Sequence, residues 1–436
     1  MMNEKEIPER EDNIRRDKSG CFLSRRNMLR SGIAAVAAAG VMGKYSRNAS
    51  ADVNTQSSAV APGWTTPLMI ESHLNGFRDQ TYNPNIPVAN NTISAQAIQC
   101  WEAGAHSVHI HPASAYLYTS GQNAANAYVN AINAALQQYP NMSWYSSTTT
   151  ATVNANTGAV TANGIEHVVI LAQAGRVKFC PLDPGSANLA MDVNAQGVVT
   201  GTTYTVPFAA IPVQIDLCIA NNLEIIWGVY EPGYLRTALY YMSKGRTTPR
   251  SCFDFYLQGD YGTLCKQPAN MCGLPPTIES LDIYLKMVAD AGYAHLPWFL
   301  SIWGEGDLDT RPLIRYAIER GGHIKTGLEL HFSPNRKPTN VELLKEVQDI
   351  AREVGRPLAT QGEWAVAYGN GDVNGDGDVN MLDATLLTQG LAGWAGVGLA
   401  KNTADVDVDG NITVRDLSVL RRHLGGWAGF EKLPRR

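Results

Sequence analysis

A helical pattern leads directly into a short apolar strand pattern in SAQAIQCWEAGAHSVHIH, residues 94–111. The same alternation recurs between about residues 67 and 355, where eight short apolar runs are each followed by a helical pattern. Eight strands that each lead into a helix predict an α/β fold, a parallel (β/α)8 barrel of the TIM type. An open doubly wound sheet is the alternative, but no glycine-rich phosphate-binding motif follows the first strand pattern.

The strand candidates on either side of this segment are all short and rich in apolar residues. In chain order they are PLMIESH, SVHIH, MSWYSST, VKFCPLD, LEIIWGVY, CFDFYLQG, HLPWFLSIW and HIKTGLE. The helical pattern NVELLKEVQDIAREVG follows the last of them. We therefore assign residues 67–367 to the barrel and residues 52–66 to a linker.

The composition is that of a soluble globular protein with one large domain and small attachments. The chain has 436 residues, of which 44% are hydrophobic and 17% charged, and its formal net charge is -5. No basic excess is present of the kind that a nucleic-acid surface requires. We therefore expect a small-molecule substrate and no nucleic-acid partner.

The first 51 residues have the pattern of an export signal. Arg25 and Arg26 precede the mildly apolar run 33–42, and residues 49–51 (Ala-Ser-Ala) suit a signal peptidase. Paired arginines before a weak apolar core are typical of a twin-arginine signal, which exports folded proteins. A membrane-anchoring N-terminus is the alternative, but the apolar run is too short to span a bilayer. We expect an exported, extracellular protein without a membrane span in its mature form.

The cysteine pattern fits export without requiring it. Cys252, Cys265 and Cys272 cluster in one loop-like stretch, where an oxidising compartment would allow one disulfide. Buried free cysteines are the alternative, and the pattern leaves both open.

Two segments near the C-terminus, residues 372–383 and 405–416, repeat one pattern. Each carries oxygen-bearing side chains at positions one, three, five and twelve, and glycine at position six, where the loop turns sharply. Hard oxygen ligands at this spacing favour Ca²⁺ over a transition metal, although acidic surface loops are the alternative. The candidate calcium ligands are Asp372, Asn374, Asp376, Asp378, Asp383, Asp405, Asp407, Asp409, Asn411 and Asp416.

A helical pattern follows each loop, over Ala384–Gly390 and Leu417–Leu424. A loop and one following helix, repeated with Asp at position twelve, resembles the type I dockerin. That resemblance implies a small all-α module over residues 369–436 that binds two Ca²⁺ and docks to a cohesin-bearing scaffold, as in a cellulosome. The dockerin recognition positions are Met381, Leu382, Val414 and Arg415 here. These pairs differ between the repeats, which argues against symmetric dual-mode docking.

The chemistry of such barrels lies at the C-terminal ends of the strands. The second strand ends in His109-Ile110-His111, which directs two imidazoles to one face, and the last strand ends in Glu329. Two His and one carboxylate with an open position form a suitable catalytic Zn²⁺ site. A structural role is the alternative for any one of them. Further polar groups at strand ends are Ser147, Thr148, Asp183, Ser186 and Glu231.

Motifs along the central domain resemble the β-keto acid cleavage enzymes, typified by the 3-keto-5-aminohexanoate cleavage enzyme. They are, in order, NGFR, PNIP, CWEAGAHSVHIH, CPLDPGSANL, GGHIKTGLE and GRPLAT. The resemblance implies a metal-dependent barrel that transfers acyl groups between a β-keto acid and acetyl-CoA. By that similarity His109, His111 and Glu329 bind zinc.

The same resemblance suggests how the substrate would be held. It implies that Ser186 and either Ser147 or Thr148 bind the carboxylate and keto groups. Arg78, after the first strand, could hold a carboxylate through two hydrogen bonds, and a surface ion pair is the alternative. The metal would polarise the β-carbonyl and stabilise the enolate that forms when the carbon–carbon bond breaks.

Four positions depart from the family pattern. Leu330 stands where the family has its basic Asp, and Lys325 replaces an Arg, keeping the charge but losing the planar fork. Residues 304–307 (Gly-Glu-Gly-Asp) lack the Arg expected after strand seven, and Ala113-Ser114 replaces an Arg-Asp pair. These changes affect the acid–base groups and leave the metal ligands in place.

The departures, together with export, leave two classes of function. The first is a metal-dependent lyase, transferase or hydrolase with altered acid–base residues, for which Glu231 or Glu305 would supply the base. Acetyl-CoA is doubtful as its co-substrate, because an exported protein has little access to it. The second is a catalytically degenerate barrel that binds a metal or ligand and is displayed as cargo.

We predict that the C-terminal module orders only with calcium. Its carboxylates repel one another without an ion, and so small a module has little core of its own. Circular dichroism of residues 369–436 with and without EDTA checks this, and unchanged helicity would contradict it. Replacing Asp372 and Asp405 together by Ala should abolish cohesin binding.

Overall fold

The structure is a computed structural model that describes residues 64, 66–113, 119–248, 250–294, 296–362, 371–374, 378–394, 397, 399, 401–407, 412–431 and 433. The predicted signal and nearly all of the predicted linker lie outside these residues. So do three of the candidate calcium ligands, Asp376, Asp409 and Asn411.

The described part of the chain alternates strands with helices, as the sequence predicted. The strands are β1 (Ile70–His73), β2 (Ser107–Ile110), β3 (Trp144–Ser146), β4 (Thr152–Val153), β5 (Val160–Ala162), β6 (Phe179–Leu182), β7 (Ala187–Val193), β8 (Val199–Tyr204), β9 (Glu224–Val229), β10 (Cys252–Gln258), β11 (Trp298–Trp303) and β12 (His323–Thr326). The helices are α1 (Asn90–Glu102), α2 (Gly121–Gln138), α3 (Glu166–Gln173), α4 (Ala210–Ala220), α5 (Pro232–Met242), α6 (Ile278–Asp290), α7 (Arg311–Glu319), α8 (Asn340–Val354), α9 (Met381–Leu391), α10 (Lys401–Ala404) and α11 (Val414–Leu424).

Eight parallel strands form a nearly closed barrel, which confirms the predicted fold class. Their order is β3-β2-β1-β12-β11-β10-β9-β6. The first strand therefore pairs with both the second and the last, which an open doubly wound sheet does not allow. The two end strands, β3 and β6, lie side by side and complete the circle.

Two antiparallel hairpins interrupt the alternation, and the sequence analysis did not predict them. The β4–β5 hairpin follows β3, and the longer β7–β8 hairpin follows β6. Both leave the barrel at the C-terminal ends of strands, the end at which the candidate site residues lie. The two hairpins therefore extend the chain at the end of the barrel where the candidate site lies.

The two predicted helices of the C-terminal module, α9 and α11, begin three residues earlier than predicted. Helix α9 begins at Met381 because Asn380 caps it, accepting a hydrogen bond from the backbone N–H of Leu382. Helix α11 begins at Val414, with Thr413 as the corresponding cap. The capping residue is loop position nine, so the helix starts inside the loop. The carboxylate at position twelve completes each capping box.

The main apolar core lies between the barrel strands and the surrounding helices. A second cluster closes the N-terminal end of the barrel interior and contains Met69, Ile226, Cys252 and Phe299. These side chains come from different strands and meet inside the barrel. The interior is therefore packed at this end, and the site residues lie toward the other end.

A buried ionic group lies in the barrel interior, and Lys325 is at its centre. Its Nζ atom lies 3.0 Å from Asp254 Oδ2 and 3.2 Å from Glu71 Oε2. It also donates a hydrogen bond to the hydroxyl of Tyr145 at 3.0 Å. Burial alone would lower the pKa of Lys325, but the two carboxylates outweigh it and raise this pKa well above its ordinary value. Lys325 is therefore charged and held on all sides.

The six described cysteines are free and buried, so no disulfide forms among them. This includes Cys252, Cys265 and Cys272, for which the sequence left a disulfide open. Cys252 is in the barrel interior, whereas the thiol of Cys265 faces the backbone oxygen of Ala190. Within the described residues, no helix has the length and apolar character that a membrane crossing needs.

We predict that replacing Lys325 by Met destabilises the barrel by about 3–5 kcal/mol, because it leaves two buried carboxylates without their cation. Urea unfolding of the full chain, followed by tryptophan fluorescence, measures this. Lys286→Met is the matched control, since Lys286 forms an exposed pair with Asp290. Its loss should cost at most about 0.5 kcal/mol. Equal effects of the two substitutions would contradict the prediction.

Candidate functional site

Two histidines at the end of β2 meet one carboxylate from the segment that follows β12, at the C-terminal end of the barrel. His109 Nε2 lies 3.3 Å from Glu329 Oε2, and His111 Nε2 lies 3.1 Å from Glu329 Oε1. All three side chains are buried. The structure therefore brings together the three residues that the sequence proposed as zinc ligands, and both rings point inward.

A third imidazole, which the sequence analysis did not include, belongs to the same cluster. His73, at the end of β1, places its Nδ1 atom 3.1 Å from Glu329 Oε2. Its Nε2 atom lies 3.0 Å from the hydroxyl of Tyr145. A ligating His in metal sites characteristically has its second ring nitrogen fixed in this way. The strand-end rule that selected His109 would also have selected His73, which ends the first strand pattern.

Strand pairing accounts for this convergence. His73 on β1 lies opposite His109 on β2, and β1 pairs on its other side with β12, which leads to Glu329. The backbone of Gly76 then passes so close to Glu329 that an added Cβ would lie 2.6 Å from its Cγ. Only glycine fits there without displacing the carboxylate.

Three further hydrogen bonds hold the cluster in place. The side chain of Asn75 accepts a bond from the backbone N–H of His111 at 2.9 Å and donates to its carbonyl at 3.2 Å. The indole of Trp303 donates to the backbone oxygen of Glu329 at 2.9 Å. The backbones on both sides of the cluster are therefore fixed, as a preorganised site requires.

The donor atoms of this cluster fit a divalent metal ion. His73, His109 and Glu329 each offer an atom within 4.8 Å of the others, and His111 contacts the same carboxylate. Burial lowers the pKa of His109 well below its ordinary value, so its ring is neutral at pH 7. The pKa of Glu329 lies well below its ordinary value, so its carboxylate is ionised and would attract a divalent cation. Imidazole and carboxylate together suit Zn²⁺.

A pocket of about 380 Å³ opens beside this cluster. Phe77 and Trp303 line it and also contact the cluster, because the Phe77 ring packs 5.0 Å from that of His111. The other lining residues include Ser147, Thr148, Asp183, Leu189, Met191, Tyr204 and Tyr230. The β7–β8 hairpin thus supplies part of the wall. The pocket is large enough for a small carboxylate and is mostly apolar with a few polar groups.

Of the three hydroxyl groups predicted to bind substrate, two line the pocket and one does not. Ser147 and Thr148 line the pocket, and Thr148 Oγ1 lies 3.5 Å from the hydroxyl of Tyr204. Ser186 is exposed and does not line it. Its Oγ instead accepts a hydrogen bond from the backbone N–H of Val206 at 3.0 Å. Ser147 and Thr148 are therefore better placed than Ser186 to bind a substrate.

Arg78 is buried, so it does not form the surface ion pair considered as an alternative. Its guanidinium reaches the backbone oxygens of Gly262, Glu329 and Leu330. Burial lowers the pKa of Arg78 to about 10, so it remains charged at neutral pH. These contacts tie together the loops after β1, β10 and β12, and a role in binding substrate stays a prediction.

The two glutamates suggested as replacement bases are engaged outside the metal cluster. Glu231 Oε1 lies 3.5 Å from the Cys272 thiol and from the backbone N–H of Gly273. Glu305 pairs with His331 and accepts a bond from the backbone N–H of Phe332. The remaining predicted acid–base residue, Lys325, belongs to the interior ionic group.

Position 330, directly after Glu329, has an apolar side chain that packs against aromatic rings. Leu330 is 2% exposed and packs against Tyr256 and Trp303. No ionisable group therefore stands where the family resemblance expects its Asp.

The C-terminal module contains a second cation site by its chemistry. Asp405, Asp407 and Asp416 offer carboxylate oxygens within 4.8 Å of one another. In the first loop, Asp383 accepts hydrogen bonds from the backbone N–H groups of Val373 at 2.7 Å and Asn374 at 3.0 Å. The carboxylate at position twelve therefore folds each loop back on itself. Asp372, Asn374 and Asp378 lie in the described part of the same loop.

The predicted partner-binding positions lie at the starts of α9 and α11. Met381, Leu382 and Val414 are 61%, 63% and 72% exposed. Exposed apolar side chains of this size are characteristic of a binding surface. Arg415 differs, since its Nε lies 2.7 Å from Asp407 Oδ2 in the second loop.

Comparison with known families gives two matches that together cover most of the chain. A sequence profile described as beta-keto acid cleavage enzyme matches residues 67–369. A profile described as Dockerin type I domain matches residues 370–425. The family of the first match is metal-dependent, and dockerin domains bind calcium and imply a cohesin partner.

Solved structures are similar at a much lower level. Type I 3-dehydroquinate dehydratase from Clostridium difficile has 9% sequence identity over 67% of this chain and 95% of its own, at a TM-score of 0.38. Dihydropteroate synthase from Yersinia pestis has 10% identity over 66% and 94%, at a TM-score of 0.37. At these scores the likeness carries no argument about function.

We predict that the native chain holds one zinc ion in the barrel, and that His109→Ala abolishes this binding. His73→Ala should lower zinc affinity by about 10–100-fold, the usual effect of losing a group that orients a metal ligand. Zinc content after dialysis, measured by mass spectrometry with calcium as an internal reference, checks this. His423→Ala, on α11, is the control and should leave zinc unchanged. Full zinc occupancy in His109→Ala would contradict the prediction.

Proposed function

Because the chain belongs to the beta-keto acid cleavage enzyme family, we propose that its barrel cleaves a carbon–carbon bond of a small β-keto acid with the help of a divalent metal. The observation that carries this proposal is the buried carboxylate of Glu329 with imidazoles around it, beside a pocket of about 380 Å³. The C-terminal module would attach this barrel to a cohesin-bearing scaffold outside the cell.

The residues of the cluster would hold the metal next to the place where the substrate's β-carbonyl binds. His109, His111 and Glu329 are the proposed ligands, and His73 is either a further ligand or the residue that orients Glu329. A bound Zn²⁺ would polarise the β-carbonyl of the substrate and stabilise charge on its oxygen. Catalytic zinc sites usually have three protein ligands and an open position, so His109, His111 and Glu329 would suffice to hold the ion beside a substrate.

The pocket supports a small substrate with a carboxylate. Thr148 and the hydroxyl of Tyr204 present polar groups, whereas Phe77, Tyr230 and Trp303 form apolar and aromatic wall. Such a mixture fixes the orientation of a small acid and keeps water away from its carbon chain.

The acetyl-CoA route of the family is the part of the reaction that this site supports least. Leu330 cannot accept a proton, and its neighbours Tyr256 and Trp303 leave no charged group at that position. Losing a positioned general base commonly removes roughly two to four powers of ten in rate. We infer that the barrel does not follow this route with the family's efficiency.

A second candidate function is favoured by the same apolar contacts. A barrel that binds a metal or a ligand without turnover would tolerate Leu330 at this position, and the docking module would display it as cargo. The two candidates differ in one measurable respect, which is turnover by the native, zinc-loaded chain.

Docking is proposed to use unequal surfaces on the two repeats. The first repeat presents Met381 and Leu382, and the second presents Val414 beside an arginine that contacts its own calcium loop. A cohesin that fits one pair would therefore meet a different surface on the other. This supports a single docking orientation.

We predict little acetoacetate formation when the native chain meets β-keto acids and acetyl-CoA, and more in Leu330→Asp, which restores a carboxylate beside Glu329. A coupled assay for acetoacetate over a panel of β-keto acids measures this. Leu330→Asn is the matched control, because Asn has the same shape as Asp but cannot act as a base. Rapid turnover by the native chain, lowered in Leu330→Asp, would refute the inference about the acetyl-CoA route.

A further inference from the structure

We propose that Asp183 is the acid–base residue of this barrel, and that it transfers one proton between an attacking water molecule and the carbon released from a β-keto acid. The proposal rests on the proposed function and deepens it, because it names the catalytic group and replaces acetyl-CoA by water. The carboxyl of Asp183 belongs to the pocket wall and to no other described site.

The position of Asp183 places its carboxyl at the mouth of the barrel. It follows β6 directly, is 8% exposed and lines the pocket together with Thr148 and Trp303. The hydroxyl of Tyr204, at the end of the β7–β8 hairpin, donates a hydrogen bond to its Oδ2 at 2.9 Å. Thr148 Oγ1 lies 3.5 Å from the same hydroxyl. A chain of polar groups therefore connects Asp183 to the predicted substrate-binding residues.

The second carboxyl oxygen of Asp183, Oδ1, lies against Gly228, which has no side chain to fill that space. A Cβ added at Gly228 would lie 1.9 Å from Asp183 Oδ1, so no other residue at position 228 would permit this arrangement. Gly228 is inside β9, where glycine usually weakens a strand and often marks a close approach. The close approach here is that of a carboxyl group.

The surroundings of Asp183 favour an exchangeable proton. Burial raises the pKa of Asp183 to about 7, against the lowering effect of the Tyr204 hydrogen bond. Lys325 also lowers it and is itself neutralised by two carboxylates, whereas Asp254 and Glu329 raise it. Asp183 in turn helps to raise the pKa values of the neighbouring Cys180, Tyr230, Tyr234 and Tyr256. An acid–base residue works best with a pKa near the working pH.

The step can be written with every proton accounted for. Ionised Asp183 takes one proton from a water molecule as that water adds to the β-carbonyl carbon. The bond between this carbon and the α-carbon, which bears the substrate's carboxylate, then breaks, and its electron pair stays on the α-carbon. Asp183 returns its proton to that carbon. Two carboxylic acids result, and the newly formed one loses its proton to solvent.

The activity test uses the full, zinc-loaded chain with acetoacetate, 3-oxopentanoate and 3-oxohexanedioate in water, followed by proton NMR. We expect acetate and a second acid without acetyl-CoA, and a kcat/KM that rises with pH through about 7. Asp183→Asn should lower kcat by roughly 10²–10⁴-fold with little change in KM, and it should remove the pH dependence. Tyr204→Phe should shift the rise to higher pH, because it removes a hydrogen bond that lowers the pKa of Asp183.

A substrate-free measurement tests the same residue independently. The folded pKa of Asp183 lies above its unfolded value, so ionising it costs stability that grows as the pH rises from about 4 to about 7. Asp183→Asn should therefore raise the melting temperature of the barrel at pH 8 and not at pH 4. Asp290→Asn, an exposed position on α6, should show no such pH-dependent gain.

Each outcome decides one point. No cleavage of any probe by the native chain would overturn the proposed function, and this inference with it. Cleavage that Asp183→Asn leaves unchanged would overturn the role of Asp183 alone, as would a melting-temperature difference that is the same at both pH values. Cleavage that requires acetyl-CoA would overturn the hydrolytic route.

Discussion

The pairing of β1 with both β2 and β12 is the constraint on which the rest of this structure depends. It joins the first and last parts of the barrel, so that residues more than 200 positions apart become neighbours, as His111 and Glu329 do. Without this closure the imidazoles and the carboxylate would lie on opposite edges of a sheet. The metal cluster is thus a direct product of the topology.

The barrel interior is divided along its axis into regions of different polarity. Apolar side chains close the N-terminal end, and the ionic group around Lys325 lies above them. Tyr145 connects this group to the cluster, since its hydroxyl contacts both Lys325 Nζ and His73 Nε2. The positive charge of Lys325 thus lies behind the imidazoles, and the carboxylates of Glu71 and Asp254 neutralise it. The metal cluster is in this way supported from below without being repelled.

Much of the fold followed from the sequence because its signals are local. Alternating apolar and helical patterns identified all eight barrel strands, and the repeated loops identified the C-terminal module, which the family matches support. The His-x-His spacing on β2 also belongs to one short segment. The helix starts at Met381 and Val414 were missed by three residues, because Asn380 and Thr413 act as caps while belonging to the loops.

What the sequence did not provide depends on contacts between distant segments. His73 ends the first strand pattern, but its place beside His109 follows from the pairing of β1 with β2. The hairpin β7–β8 consists largely of small and polar residues, so its strands lack the apolar runs that mark the barrel strands. Asp183 gained its significance only with this hairpin, because Tyr204 arrives from its far end.

This hairpin also bears on how such a barrel can diversify. It is inserted between a barrel strand and the helix that follows, so its length and side chains can change while every strand of the cylinder is retained. Because it supplies pocket wall but no member of the His–Glu cluster, the proposed substrate preference and the proposed metal binding depend on separate segments of the chain. Relatives with the same His-x-His motif can therefore differ in what they accept, and comparing their hairpins would be more informative for substrate assignment than comparing their strands.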